Sequence, residues 1–158
     1  MITNQVFICC AALMLAWSVG AGEKAAPAKG VEANAADAKA QQGVWKPVNA
    51  TLGGTRLPPQ AIGGITLKLD GDKYEVTVAG EGQDKGTCRL DANASPKRMV
   101  ITGVEGPNKG KTFPAIYEFK DADTLRICYD LSGAAHPAEF ASGAGTKIYL
   151  VTYARQKH

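Results

Sequence analysis

Between Trp45 and Arg155 the chain is a succession of strand-length segments in which apolar and polar residues alternate. A period of two places one row of side chains in a core and the next in water, so the pattern predicts an antiparallel sheet with one buried face. Ile65, Leu67 and Leu69 share a face, with Thr66, Lys68 and Asp70 opposite. Asp70-Gly71 then marks a hairpin, because glycine tolerates the positive φ such turns need. Tyr74, Val76 and Val78 follow, opposed by Lys73, Glu75 and Thr77. Cys88 and Leu90 alternate with Thr87, Arg89 and Asp91; residues 93–97 read as a turn and 99–102 as a short strand. Phe113, Ala115, Tyr117 and Phe119 share a face, and Asp121-Ala122-Asp123 turns the chain into Leu125, Ile127, Tyr129 and Leu131. The last strand, 147–154, is apolar on both faces, which requires a cover on its outside. Pro58-Pro59-Gln60-Ala61-Ile62 suits a single helical turn.

The connections are short enough for sequential antiparallel neighbours. Eight or nine strands in one open sheet leave two edges free to associate, and closure removes both. The expected fold is therefore all-β: a single antiparallel up-and-down β-barrel of about eight or nine strands. In a closed barrel the first and last strands are neighbours, which brings Trp45 and Arg155 together. Two structural roles are open for them. The guanidinium stacks on the indole, a contact of about 0.5–2 kcal/mol, or Trp45 simply plugs the barrel end and Arg155 is solvated.

The flanks bear on compartment. Residues 1–22 carry no charged side chain, and the apolar run from Val6 to Trp17 is shorter than the roughly 20 residues a membrane span needs. Small residues follow it, and Val19-Gly20-Ala21 suits a signal-peptidase site, so residues 1–21 are expected to be a signal peptide and the mature chain to be secreted or periplasmic. Residues 22–42 are rich in Ala and Lys with Val31 as the one large apolar residue; they read as a flexible linker, with a frayed helical turn near 33–41. The barrel domain then occupies 43–156. All 18 basic and 15 acidic side chains lie beyond Ala21, so the net charge of +3 is kept after cleavage. That mild value supports solubility and argues against nucleic acid as a partner, and no transmembrane segment is expected in the mature form. Of the four cysteines, Cys88 and Cys128 remain. Their strand phases differ, one pointing in and the other out, so they are expected to stay unpaired.

Catalytic chemistry finds little support. Gly110-Lys111-Thr112 resembles the end of a phosphate loop, but position 105 is glutamate and Phe113-Pro114-Ala115 leads into a strand rather than a helix. His136 is the one credible base, with no nucleophile motif to serve, and no spacing of His, Cys and Asp offers a metal site. Asp121 and Asp123 flank a turn. No cofactor is expected.

Four stretches carry a resemblance: Gln42-Gly43-Val44-Trp45-Lys46; Leu67-Lys68-Leu69-Asp70-Gly71-Asp72-Lys73-Tyr74; Gly106-Pro107-Asn108-Lys109-Gly110-Lys111-Thr112 with Ile116-Tyr117-Glu118; and Asp123-Thr124-Leu125-Arg126-Ile127-Cys128-Tyr129. On these the chain, from about Gln42 to Arg155, resembles a family of small secreted lipocalin-like proteins of unassigned function, abundant in planctomycete bacteria. That pattern usually has Arg before Pro137, where this chain has His136. The resemblance implies a lipocalin-like barrel outside the cytoplasm, and by analogy a small apolar or amphipathic ligand inside it. The alternative is an envelope structural or protein-interaction module with a filled barrel and an envelope protein as partner. The candidate lining is the face shared by Tyr74, Val76, Val78, Tyr117, Phe119, Leu125, Ile127 and Tyr129. Its tyrosines combine an apolar ring with a hydroxyl that needs a partner when buried.

Overall fold

The computed structural model describes residues 29–79 and 81–157; the expected signal peptide and its cleavage site lie outside the described residues. The elements run α1 (Lys29–Ala40), β1 (Gly43–Leu52), β2 (Thr55–Arg56), α2 (Pro59–Ile62), β3 (Ile65–Asp70), β4 (Lys73–Val78), β5 (Glu81–Asp91), β6 (Arg98–Glu105), β7 (Thr112–Asp121), β8 (Thr124–Asp130) and β9 (Ile148–Arg155). Consecutive strands from β3 to β9 pair antiparallel, β1 pairs with β3, and β1 also pairs with β9. The result is a closed, eight-stranded, antiparallel barrel. The two-residue β2 adds a short ninth strand to the end of β1. The alternation read from the sequence is the alternation of inside and outside. Leu67, Leu69, Tyr74, Cys88, Met99, Ile101, Tyr117, Leu125, Ile127, Val151 and Tyr153 are buried together in one core.

One end of the barrel is shut. Trp45 is fully buried there, and its indole N–H donates to the Gln41 carbonyl at 2.8 Å. Trp45 and Arg155 are register partners across β1 and β9, and the guanidinium stands 4.1 Å from the ring centroid. The same guanidinium donates to the Ala40 carbonyl at 2.6 Å, to the Gln42 carbonyl, and to the Ala122 carbonyl at 3.1 Å. A cation on the last carbonyls of α1 also complements the helix dipole. Of the two roles open to Arg155, the geometry shows the stacked one.

The segment read as a linker is, from Lys29, a twelve-residue helix docked against this end. It buries none of its residues, which is why its composition suggested a tether. Polar contacts attach it instead. Asp37 accepts from the Tyr117 hydroxyl and from Lys97 Nζ, both at 2.7 Å, Asn34 accepts from the Ala92 amide, and Asn93 donates to the Gly30 carbonyl. Gln42 then takes the Gly71 amide of the β3–β4 hairpin at 2.8 Å, where Gly71 has φ 63° as the turn requires.

The two-sided apolarity of β9 has its cover. Ile116, Cys128 and Leu150 form a row on the outer face of β7, β8 and β9. The segment 131–147 runs over that face: the Cys128 thiol donates to the Ala141 carbonyl, Ser142 Oγ donates to the Ile148 carbonyl, and the Arg126 guanidinium lies 4.5 Å from the centre of the Phe140 ring. Cys88 points into the barrel and Cys128 lies beneath this segment, and both are free thiols.

Candidate functional site

Towards the other end the lumen opens. A cavity of about 510 Å³ occupies it, within the size range of small-molecule sites. Its walls are Ile65, Leu67 and Leu69 of β3, Tyr74 and Val76 of β4, Met99 and Ile101 of β6, Phe113 of β7, Ile127 and Tyr129 of β8, and Tyr149 and Tyr153 of β9. Leu131 and Lys111 stand at the mouth.

One acidic side chain sits among these walls, beside Asn108. Asp84 of β5 is 8% exposed and lines the cavity. Its carboxylate accepts from the Tyr74 hydroxyl at 3.0 Å, the Asn108 amide at 3.1 Å and Asn108 Nδ2 at 3.0 Å. Burial pushes the Tyr74 hydroxyl well above its ordinary value, and the bond to Asp84 adds to this. The arrangement depends on Gly86, the register partner of Tyr74. A Cβ at Gly86 would lie 2.6 Å from the Tyr74 ring and 1.9 Å from the Thr102 carbonyl oxygen, so no other residue lets the ring lie flat across β5. Asp84 also holds the turn at 106–110 against β5, which fixes one side of the mouth.

Three tyrosines face the cavity from the opposite wall. Tyr129 and Tyr149 are near-parallel, with ring centroids 6.0 Å apart. Burial raises all three hydroxyls; the Tyr153 hydroxyl raises Tyr129 further, and Tyr149 raises Tyr153 while its hydrogen bond with Tyr129 lowers it. Among the described residues none of the three bonds to the backbone or to a charged group.

The eight residues expected to line a ligand space divide. Tyr74, Val76, Ile127 and Tyr129 do line the cavity. Tyr117, Leu125 and Phe119 belong to the shut end. Tyr117 gives its hydroxyl to Asp37, Leu125 is fully buried, and the half-buried Phe119 meets the Tyr117 ring edge-on at 6.0 Å. Val78 also falls outside, because the β4–β5 ladder slips between Val76 and Val78. Sequence reasoning missed Asp84, Tyr149 and Tyr153. The last two alternate with Val151 and were visible as a face; Asp84 sits in a glycine-rich stretch with no apolar alternation to mark a strand.

His136, the candidate base, donates its Nδ1–H to the Ala115 carbonyl at 2.9 Å on the barrel exterior. Lys111, from the stretch that resembled a phosphate loop, is an exposed residue of the β6–β7 connection. No helix among the described residues is long and apolar enough to cross a membrane. No protein-family model matches the chain, and no curated protein compared with it does.

Proposed function

We propose that this chain is an exported, non-enzymatic, lipocalin-like module that holds a small apolar or amphipathic ligand in the open half of its barrel. The observation that carries the reading is the cavity of about 510 Å³, whose walls are mainly apolar, with Asp84, Asn108, Lys111 and tyrosine hydroxyls among them. A barrel of eight strands can be filled by its own side chains or hold one small ligand. This one encloses a cavity beside its Trp45 plug. Hydroxyls without a backbone or charged partner orient a ligand's polar atoms, while Val76, Ile127 and Phe113 take its apolar part. Export rests on the apolar run before Ala21 and on the resemblance to secreted lipocalin-like proteins.

Titration of the purified chain with neutral fluorescent apolar probes tests this. Saturable binding is expected, and Val76→Trp should abolish it by occupying the space. That substitution should destabilise by less than the about 1–3 kcal/mol that overpacking a full core costs. Absence of binding by every probe, together with strong destabilisation by Val76→Trp, would instead describe a packed lumen and a protein that works through its outer surface.

A further inference from the structure

We infer that the cavity selects a ligand carrying a positively charged amine, with Asp84 as its counter-ion. The inference rests on the cavity being a binding site and names what that site takes. Every polar neighbour of Asp84 donates to it: the Tyr74 hydroxyl, the Asn108 amide and Asn108 Nδ2. An ionised carboxylate accepts at about four lone-pair positions, and three are occupied. Oδ2 takes two of these donors and Oδ1 only the Asn108 amide. Neutral donors reduce the cost of burying a charge but do not neutralise it. Among the described residues no lysine, arginine or histidine forms an ion pair with Asp84; the six ion pairs all lie elsewhere. Asp84 therefore lines a largely apolar lumen with neutral donors as its bonded partners.

An ammonium group entering the lumen would supply what is lacking, and it would do so where water is scarce and a charge-assisted hydrogen bond is strong. Aromatic walls favour the same sign, because ring faces are negative. Lys111 offers the opposite choice, an anionic head at the mouth. That residue is exposed, and an exposed ion pair adds little. Asp84 is on β5, across the barrel from Tyr149 and Tyr153 on β9. The ligand class is thus a primary or substituted ammonium on an apolar or aromatic body that spans the lumen to those rings.

Calorimetric titration with octylammonium, octanol and octanoate at neutral pH tests the inference. The three share one tail and differ in head charge. Octylammonium should bind about tenfold tighter than octanol, from the strength of a hydrogen bond to a charged group, and octanoate should bind weakest. In Asp84→Asn the preference for octylammonium over octanol should vanish. The ranking is read on the unsubstituted protein, so it does not depend on that variant folding. Equal binding of all three would overturn the charge assignment and leave the cavity reading standing. Tightest binding by octanoate, lost in Lys111→Gln, would overturn it in favour of an anionic head. Binding by none of the three would count against the cavity reading itself.

Discussion

The two ends of this barrel are built from the same strands and differ in how their interiors are closed. At the α1 end, Trp45, Tyr117 and Leu125 fill the lumen, and each polar atom there meets a partner from a neighbouring segment: Gln41 for the indole, Asp37 for the Tyr117 hydroxyl, Ala40 and Gln42 for Arg155. Towards the mouth, side chains of similar type leave a hollow, lined by one carboxylate and four tyrosines among others. Strand alternation decides which residues turn inward, whereas the segments outside the strands decide whether the inside is sealed. The contacts of α1 and Arg155 gather at one end, and the hollow lies beyond their reach.

The largest effect expected of this division appears in alkali. All five tyrosines are held above their ordinary value, with burial the first cause in each. A hydroxyl with a raised folded-state value contributes stability that is complete below its unfolded value, near 10, and is lost as pH rises through the folded value. Each tyrosine that ionises only on unfolding should lower stability by about 1.4 kcal/mol per pH unit in that window. Denaturant midpoints from about pH 9 to about pH 12 check the slope. Within it the ends should separate. The half-buried Tyr149 should show phenolate absorbance before unfolding, and Tyr117, bonded to Asp37, only with it. An early step that survives Tyr149→Phe would erase the distinction.

Removal of apolar mass should be next in size. Trp45→Ala is expected to destabilise by about 3–5 kcal/mol, as for a large buried aromatic. Ile65→Ala, half-buried at the mouth beside existing empty space, should lose only about 1 kcal/mol. Equal losses in chemical denaturation would mean the mouth is as tightly packed as the plug. A smaller effect than that of Trp45→Ala concerns the helix. Asp37→Ala orphans the Tyr117 hydroxyl and should destabilise by about 1–3 kcal/mol. Amide exchange within Lys29–Ala40 should quicken in step with that loss, and unchanged exchange would assign the docking to Asn34 and Arg155 instead.

The barrel was legible because β3 and β4 alternate strictly and β7 and β8 keep an unbroken inward row, and a period of two has one reading when one face is buried. β5 was legible only from Thr87 onward. Its first half, residues 81–86, holds no large apolar residue and is a strand because β4 and β6 pair with it. Asp84 was hidden for that reason. α1 was hidden because a helix attached through Asp37 and Asn34 has no apolar stripe to announce it. The cavity itself has no signature in any one strand. It is the volume left after side chains from seven strands have met, and pattern alone does not sum volumes.

The two thiols divide the molecule in time as well as in space. Only a thiolate reacts readily, and burial pushes Cys88 up to about 12 and raises Cys128 as well. Neither will be modified while its surroundings stay shut. Cys128 lies under the outer segment at 131–147, so its labelling counts the moments when that segment lifts from β8. Cys88 lies inside, pointing at Gln41 beneath α1, so its labelling counts the rarer moments when the plugged end comes apart. With a small thiol reagent, one unmodified protein thus carries two clocks, and the ratio of their rates measures how independently the outer cover and the plug open.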